Sequence, residues 1–270
     1  MTSQGRRRAT FPGIVRTELA KLRRGKVTWI TLGVTTFMVA MGAFFMWMMM
    51  NPALAQSIGL LGQKARFAFS GQSHDGPGFL VFIVEMGGIG GLIMCSIIAA
   101  YVFGREYVEG TAKNLLALPI PRISFVLAKI IVVGVWFTAL TLWLVGSAWL
   151  TGSLLRLEGL SAPLLVSVAG KLAALAGMSL CCSLLVAWLA VETRGYFAPL
   201  GASIGAVVLA SVFGHTGWAP WVPWSIVGLY SGAAGLTASP GIGSLAVLAA
   251  TFAAGAALTV RHEVFADNGQ

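Results

Sequence analysis

Apolar residues run through this chain in long blocks, and the polar residues collect in short clusters between them. A helix needs ~20 apolar residues to cross ~30 Å of hydrocarbon. The pattern predicts six such helices, at about 27–50, 78–103, 125–150, 172–191, 196–213 and 241–260. Asn51-Pro52 stops the first, because proline cannot continue a helix comfortably and drives its predecessor toward extended backbone. The second contains one acid, Glu85, and a start nearer Pro163 would bring Lys171 into the fourth. No Lys, Arg, Asp or Glu occurs between Arg194 and Arg261, a stretch too long for one helix. Residues 215–224, with three Trp and two Pro, divide it, and indole rings are enriched at membrane interfaces. Residues 225–238 stay apolar but Gly-rich. They read as a short re-entrant or interfacial outer helix, or as a hydrophobic outer loop; a re-entrant segment is tolerated where protein covers its backbone.

Composition agrees with this pattern. Of 270 residues, 57% are hydrophobic and 10% charged, against about 25% charged in a soluble domain. The expected fold class is an all-α integral membrane protein with no large soluble domain. Its parts are a basic tail and interfacial helix (1–26), one six-span domain (27–260) and a short tail (261–270). The apolar run 27–50 is far longer than the 7–15 residues of a signal-peptide core, so it reads as a retained span. Cys95, Cys181 and Cys182 lie inside apolar runs without metal or disulfide spacing and read as small packing residues.

The net charge of +9 reflects topology. Eight cations precede Val27: Arg6, Arg7, Arg8, Arg16, Lys21, Arg23, Arg24 and Lys26. With the N-terminus inside, Arg105, Lys113, Arg122, Lys129, Arg194 and Arg261 join them, and only Lys64, Arg66, Arg156 and Lys171 fall outside. Fourteen against four follows the positive-inside rule. The chain is expected to be multi-pass in the cell inner or plasma membrane, with both termini cytoplasmic. Without a basic soluble domain, the charge does not indicate nucleic acid.

Two polar clusters carry helical periodicity. In 11–26, Phe11, Ile14, Val15, Leu19 and Leu22 recur at helical spacing while Arg16, Lys21, Arg23 and Arg24 fall largely elsewhere. Thr10 is a candidate N-cap and Pro12 lies in the first turn. This predicts a helix in the inner interface with its apolar face in the acyl boundary. In 105–118, Val108, Thr111, Ala112, Leu115 and Leu118 can share a face. Glu109 and Lys113 are an i,i+4 pair in the favourable order, worth about 0.2–0.5 kcal/mol. Pro119 and Pro121 end the segment. A short charged helix tied at both ends to spans can act as a lever.

At these residues the chain resembles the type-2 family of ABC exporter permeases. The matching positions in the first cytoplasmic loop are Glu106, Glu109, Gly110-Thr111, Leu115-Leu116, Pro119, Arg122 and Lys129, and 18–23 resembles the family's interfacial elbow helix. The resemblance implies a permease half: two six-span chains, homo- or heterodimeric, above two ATPase subunits. Arg105, Glu106, Glu109, Gly110, Thr111, Lys113, Leu115, Leu116, Pro119 and Arg122 would contact the ATPase. Phe11, Ile14, Val15, Glu18, Leu19, Lys21 and Leu22 would form the elbow. This chain has no phosphate-binding loop; Gly25-Lys26-Val27 lacks the upstream Gly and the hydroxyl such a loop requires. ATP and Mg2+ are therefore expected in the partner, with no cofactor, metal or catalytic residue here.

His74-Asp75 and His215 read as polar loop or interface residues. Glu85 and Lys171 are a candidate outer gate, since intramembrane ionisable groups are costly and often functional; a solvated mouth position would also explain them. Gly87, Gly88, Gly90 and Gly91, and Gly201 with Gly205, permit close helix approach, either to a second chain or within this one. Met and Phe enrich the first span, which suits an adaptable apolar ligand surface or a lipid-facing one. The expected cargo is a hydrophobic or amphipathic compound: a drug, antibiotic, peptide or lipid. Two other classes fit the same spans. An ion-coupled secondary transporter or channel would show more intramembrane charge or repeated halves. A non-transporting anchor or immunity subunit would need no pathway.

Overall fold

The computed structural model describes residues 10–51, 75–111, 121–233 and 239–265. Within them the chain forms α1 (Phe11–Arg24), α2 (Lys26–Met50), α3 (Gly76–Val108), α4 (Arg122–Leu154), α5 (Ala162–Glu192), α6 (Phe197–Phe213), a 3-10 turn (Ala219–Trp221), α7 (Pro223–Ser231) and α8 (Ile242–Phe265). No strand occurs among the described residues. Among the described residues five helices, α2, α3, α4, α5 and α8, are long and apolar enough to cross a membrane. At the fifth expected span lies α6, a 17-residue apolar helix that is shorter than the five.

α3, α4, α5 and α8 run beyond their expected bounds. α3 starts two residues early: Asp75 accepts a hydrogen bond from the Gly78 amide at 2.9 Å, and Pro77 occupies the first turn, where its missing N–H costs nothing. α5 begins at Ala162 with Pro163 in its first turn and takes in Lys171. α4 begins directly after Pro121.

α3 and α5 form the central pair, with α8 against α5 and α4 alongside. The glycines of α3 explain how one helix serves so many neighbours. A Cβ at Gly87 would lie 2.8 Å from Leu172 of α5, at Gly88 2.3 Å from Ser231 of α7, and at Gly90 2.5 Å from Met38 of α2. These glycines are thus used within the chain. Gly201 and Gly205 of α6 differ: nothing lies within 4 Å of a Cβ at either. α2 and α4 run in the same direction, joined by Trp136 Nε1 to Thr31 Oγ1 (3.2 Å) and Trp143 Nε1 to Thr36 Oγ1 (2.9 Å).

The Trp-rich stretch makes the 3-10 turn and the start of α7. Trp218 and Trp221 are largely exposed, and Ser244 Oγ donates to the Pro220 carbonyl at 3.0 Å, binding the turn to the start of α8. α7 packs on α3, α5 and α6 and buries Ile226 and Val227. Gly232 ends it with φ 93°, a conformation that favours glycine. Of the expected outer segment, 234–238 lies outside the described residues.

Candidate functional site

The basic end of the bundle gathers the clustered charges. α1 presents Ile14, Glu18 and Leu22 inward at a four-residue repeat, so an acid stands in the middle of its buried stripe. Phe11 and Leu19 remain exposed and Val15 is half-buried against the core. Thr10 is the N-cap residue but makes no side-chain capping bond. α1 therefore does more than lie in an interface; it docks on α4 and, through its charges, on α3.

Those charges form a chain. Lys21 Nζ lies 2.5 Å from Glu18 Oε1 and 3.1 Å from Glu106 Oε1, and Lys129 Nζ lies 2.5 Å from Glu106 Oε2. The Glu106 carboxylate thus bridges a lysine of α1 and a lysine of α4. Two acids and two bases sum to zero, which suits burial, since a lone charge in such a place is costly. Lys129 also lies over the Phe103 ring at 5.4 Å. Burial opposes the charge on Lys21, but its contacts with Glu18 and Glu106 outweigh that and hold its pKa above the ordinary lysine value. Arg105 Nη1 donates to the Lys21 carbonyl at 3.3 Å and Arg105 Nε to Glu109 Oε1 at 2.8 Å.

A second node lies beside the first. Tyr107 Oη donates to Glu263 Oε1 at 3.1 Å, and Arg122 Nη1 donates to the Glu263 carbonyl at 3.0 Å. His262 Nε2 is 3.6 Å from Glu192 Oε2. A Cβ at Gly104 would lie 2.7 Å from the Gly195 carbonyl, so the chain before α6 also meets this end. The end of α3, the start of α4 and the ends of α5 and α8 are locked together by polar contacts.

The expected helix over 105–118 is corrected over 105–111, and its remainder lies outside the described residues. Arg105, Glu106, Tyr107 and Val108 are the last turn of α3, and the chain then turns through Glu109 and Gly110, the latter at φ 67°. The helix ends there because Gly110 takes a left-handed conformation and the amides of Gly110 and Thr111 turn back to the Tyr107 and Glu106 carbonyls. Glu109 pairs with Arg105, one turn before it; the expected Glu109–Lys113 pair falls on a residue outside the described ones. Thr111 donates its amide to the Glu106 carbonyl at 2.9 Å. Lys113, Leu115, Leu116 and Pro119 lie outside the described residues.

At the other end, Lys171 stands over the Tyr230 ring at 5.7 Å, and Glu85 is half-buried. Sequence reasoning did not single out Tyr107, Glu192, His262 or Glu263. Their signal was faint: an acid within a turn of the last apolar block, and a phenol at the end of another. It placed Lys129 only near the entry to a span, whereas the structure buries it.

A bundle of apolar helices with a neutral, buried ion-pair block at its basic end has the build of a multi-pass membrane transport subunit. The chain belongs to the ABC-2 family of transporter proteins, whose model matches residues 14–214. It is also similar to the bacitracin transport permease protein of Bacillus licheniformis, 36% identical over 80 residues. That match covers 28% of this chain and 36% of the relative.

Proposed function

We propose that this chain is the membrane permease subunit of an ATP-driven exporter of a hydrophobic or amphipathic compound. ATP and Mg2+ are handled by a separate ATPase polypeptide, two copies of which act on a pair of permease chains, and this chain performs no catalysis. Family membership and the bacitracin-permease relative support the reading, and that relative favours an antibiotic of the peptide class as cargo.

The observation that carries it is the Glu106 bridge. Force applied to the segment 104–124 reaches the end of α3 and the start of α4 directly, and reaches α1 through Lys21. Three helices then move as one block, which is what a nucleotide-driven change in population between two states requires of its linkage. In this orientation the basic end is cytoplasmic.

The six-span reading counts α6 as the fifth span and α7 as a re-entrant helix. Gly88, the neighbour of Ser231, is twelve residues into α3, or ~18 Å along its axis, which supports a deep position for α7. α2 and α8 are the spans least covered by the rest of the chain and are the natural faces for lipid or a second permease.

The test is reconstitution. The chain is co-expressed with the ATPase encoded beside it, purified, and placed in vesicles with a fluorescent peptide antibiotic. Co-purification and ATP-dependent movement of the compound are expected. Full transport by this chain alone, driven by an ion gradient, would overturn the proposal.

A further inference from the structure

A cleft of 780 Å³ opens at the basic end, between the α1–α2 junction, the last turns of α3 and the start of α6. Its walls share one gradient of polarity. Along α3, Ile97, Tyr101 and Arg105 line it at four-residue spacing, so an apolar, an amphipathic and a cationic side chain follow one another over ~12 Å. On α6 and the residue before it the order repeats, with Tyr196 toward the rim and Leu200 below. The two tyrosine rings stand 6.5 Å apart. Across from them, Arg24 and Lys26 reach the rim at the break between α1 and α2. Both are exposed, and neither has an ion-pair partner among the described residues. Gly25 lets this wall close on α3, since a Cβ there would be 2.7 Å from Tyr101 Oη. The rim also carries one carboxylate, Glu109, which Arg105 already neutralises.

We propose that this cleft holds an anionic glycerophospholipid, with its phosphate against Arg24 and Lys26 and its acyl chains along Ile97 and Leu200. Basic pockets between membrane helices recognise anionic head groups, and the apolar lower half distinguishes a lipid from free phosphate. Tyrosine hydroxyls at mid-depth match the ester level of such a molecule, because tyrosine places its polar tip at the interface. The bound lipid would wedge α1 against α6 and so set the angle of the elbow. The inference does not depend on ATP drive.

Native mass spectrometry of the full chain, titrated with phosphatidylglycerol or with phosphatidylcholine of the same acyl chains, tests it. Phosphatidylglycerol is expected to be retained and phosphatidylcholine lost. The double variant R24Q/K26Q should bind phosphatidylglycerol roughly thirtyfold more weakly, the scale of removing two cations at a membrane surface. R16Q/R23Q, which removes equal charge from α1 outside the cleft, should bind as the parent does. Inorganic phosphate should not displace the lipid. Equal loss in both double variants would show diffuse attraction only, displacement by phosphate would show an ion site, and equal retention of phosphatidylcholine would show no head-group recognition; each overturns the proposal. Thermal unfolding checks that R24Q/K26Q is folded, and R24Q alone carries the test should the double variant not purify.

Discussion

Glu106 and Lys129 face each other across α3 and α4 with Oε2 and Nζ 2.5 Å apart, the lysine only 3% exposed. The same carboxylate also holds Lys21 of α1. Removing one member leaves the others with an uncompensated buried charge, a loss of about 3–5 kcal/mol. Lys129→Met alone should therefore lower the unfolding temperature markedly. Combined with Glu106→Gln, it should recover part of that loss, since the double change removes both charges. A double-mutant cycle by thermal unfolding in detergent measures the coupling.

Glu106 and Glu109 are close in sequence and opposite in situation: the first is buried, and the second is exposed with Arg105 as its partner. Glu106→Lys should reduce folded yield before any partner is met. Glu109→Lys should leave yield and unfolding temperature within about 0.5 kcal/mol of the parent, as surface changes do. It should nevertheless weaken co-purification with the ATPase. Unchanged docking in folded Glu109→Lys would place the ATPase contact elsewhere on the 104–124 segment.

The glycines divide into two groups with opposite expectations. Gly88→Ala places a Cβ 2.3 Å from that of Ser231 and should destabilise by about 1–3 kcal/mol, as overpacking does. Ser231→Gly should relieve part of this, which identifies the clash. Gly205→Ala meets nothing within the chain and should stabilise by up to about 1 kcal/mol through helix propensity. Unfolding curves of Gly88→Ala, of Gly88→Ala combined with Ser231→Gly, and of Gly205→Ala decide the matter.

The contact between Tyr107 and Glu263 fastens the end of α8 to the end of α3. Tyr107→Phe keeps the ring and loses the bond, for about 1 kcal/mol. Hydrogen exchange should rise at the end of α8 and stay unchanged in the middle of α3, because only the helix end depends on that bond.

Much of this was readable in the chain before it folded. The apolar blocks dictated helices, since a backbone in hydrocarbon must satisfy its own hydrogen bonds. Asn51-Pro52 placed the end of α2 at Met50. The periodicity of 11–24 placed α1, but it could not show that Glu18 belongs to the buried stripe, because an acid becomes tolerable inside only when a base arrives from elsewhere. The candidate site was half legible: the charges of 105–122 were visible as a cluster, their division into buried bridge and exposed turn was not.

The sequence by itself determined the class of protein, because membrane solvation acts locally on every block of some twenty residues, and its family resemblance was carried by the motif residues of 106–129. Which charges are structural and which are free was decided only by the tertiary fold. Glu106 becomes a bridge because Lys21 and Lys129, 85 and 23 residues away in sequence, arrive on its two oxygens. Gly88 becomes irreplaceable because Ser231 arrives from the far side of the chain. Both depend on distances between remote segments, which no local pattern encodes.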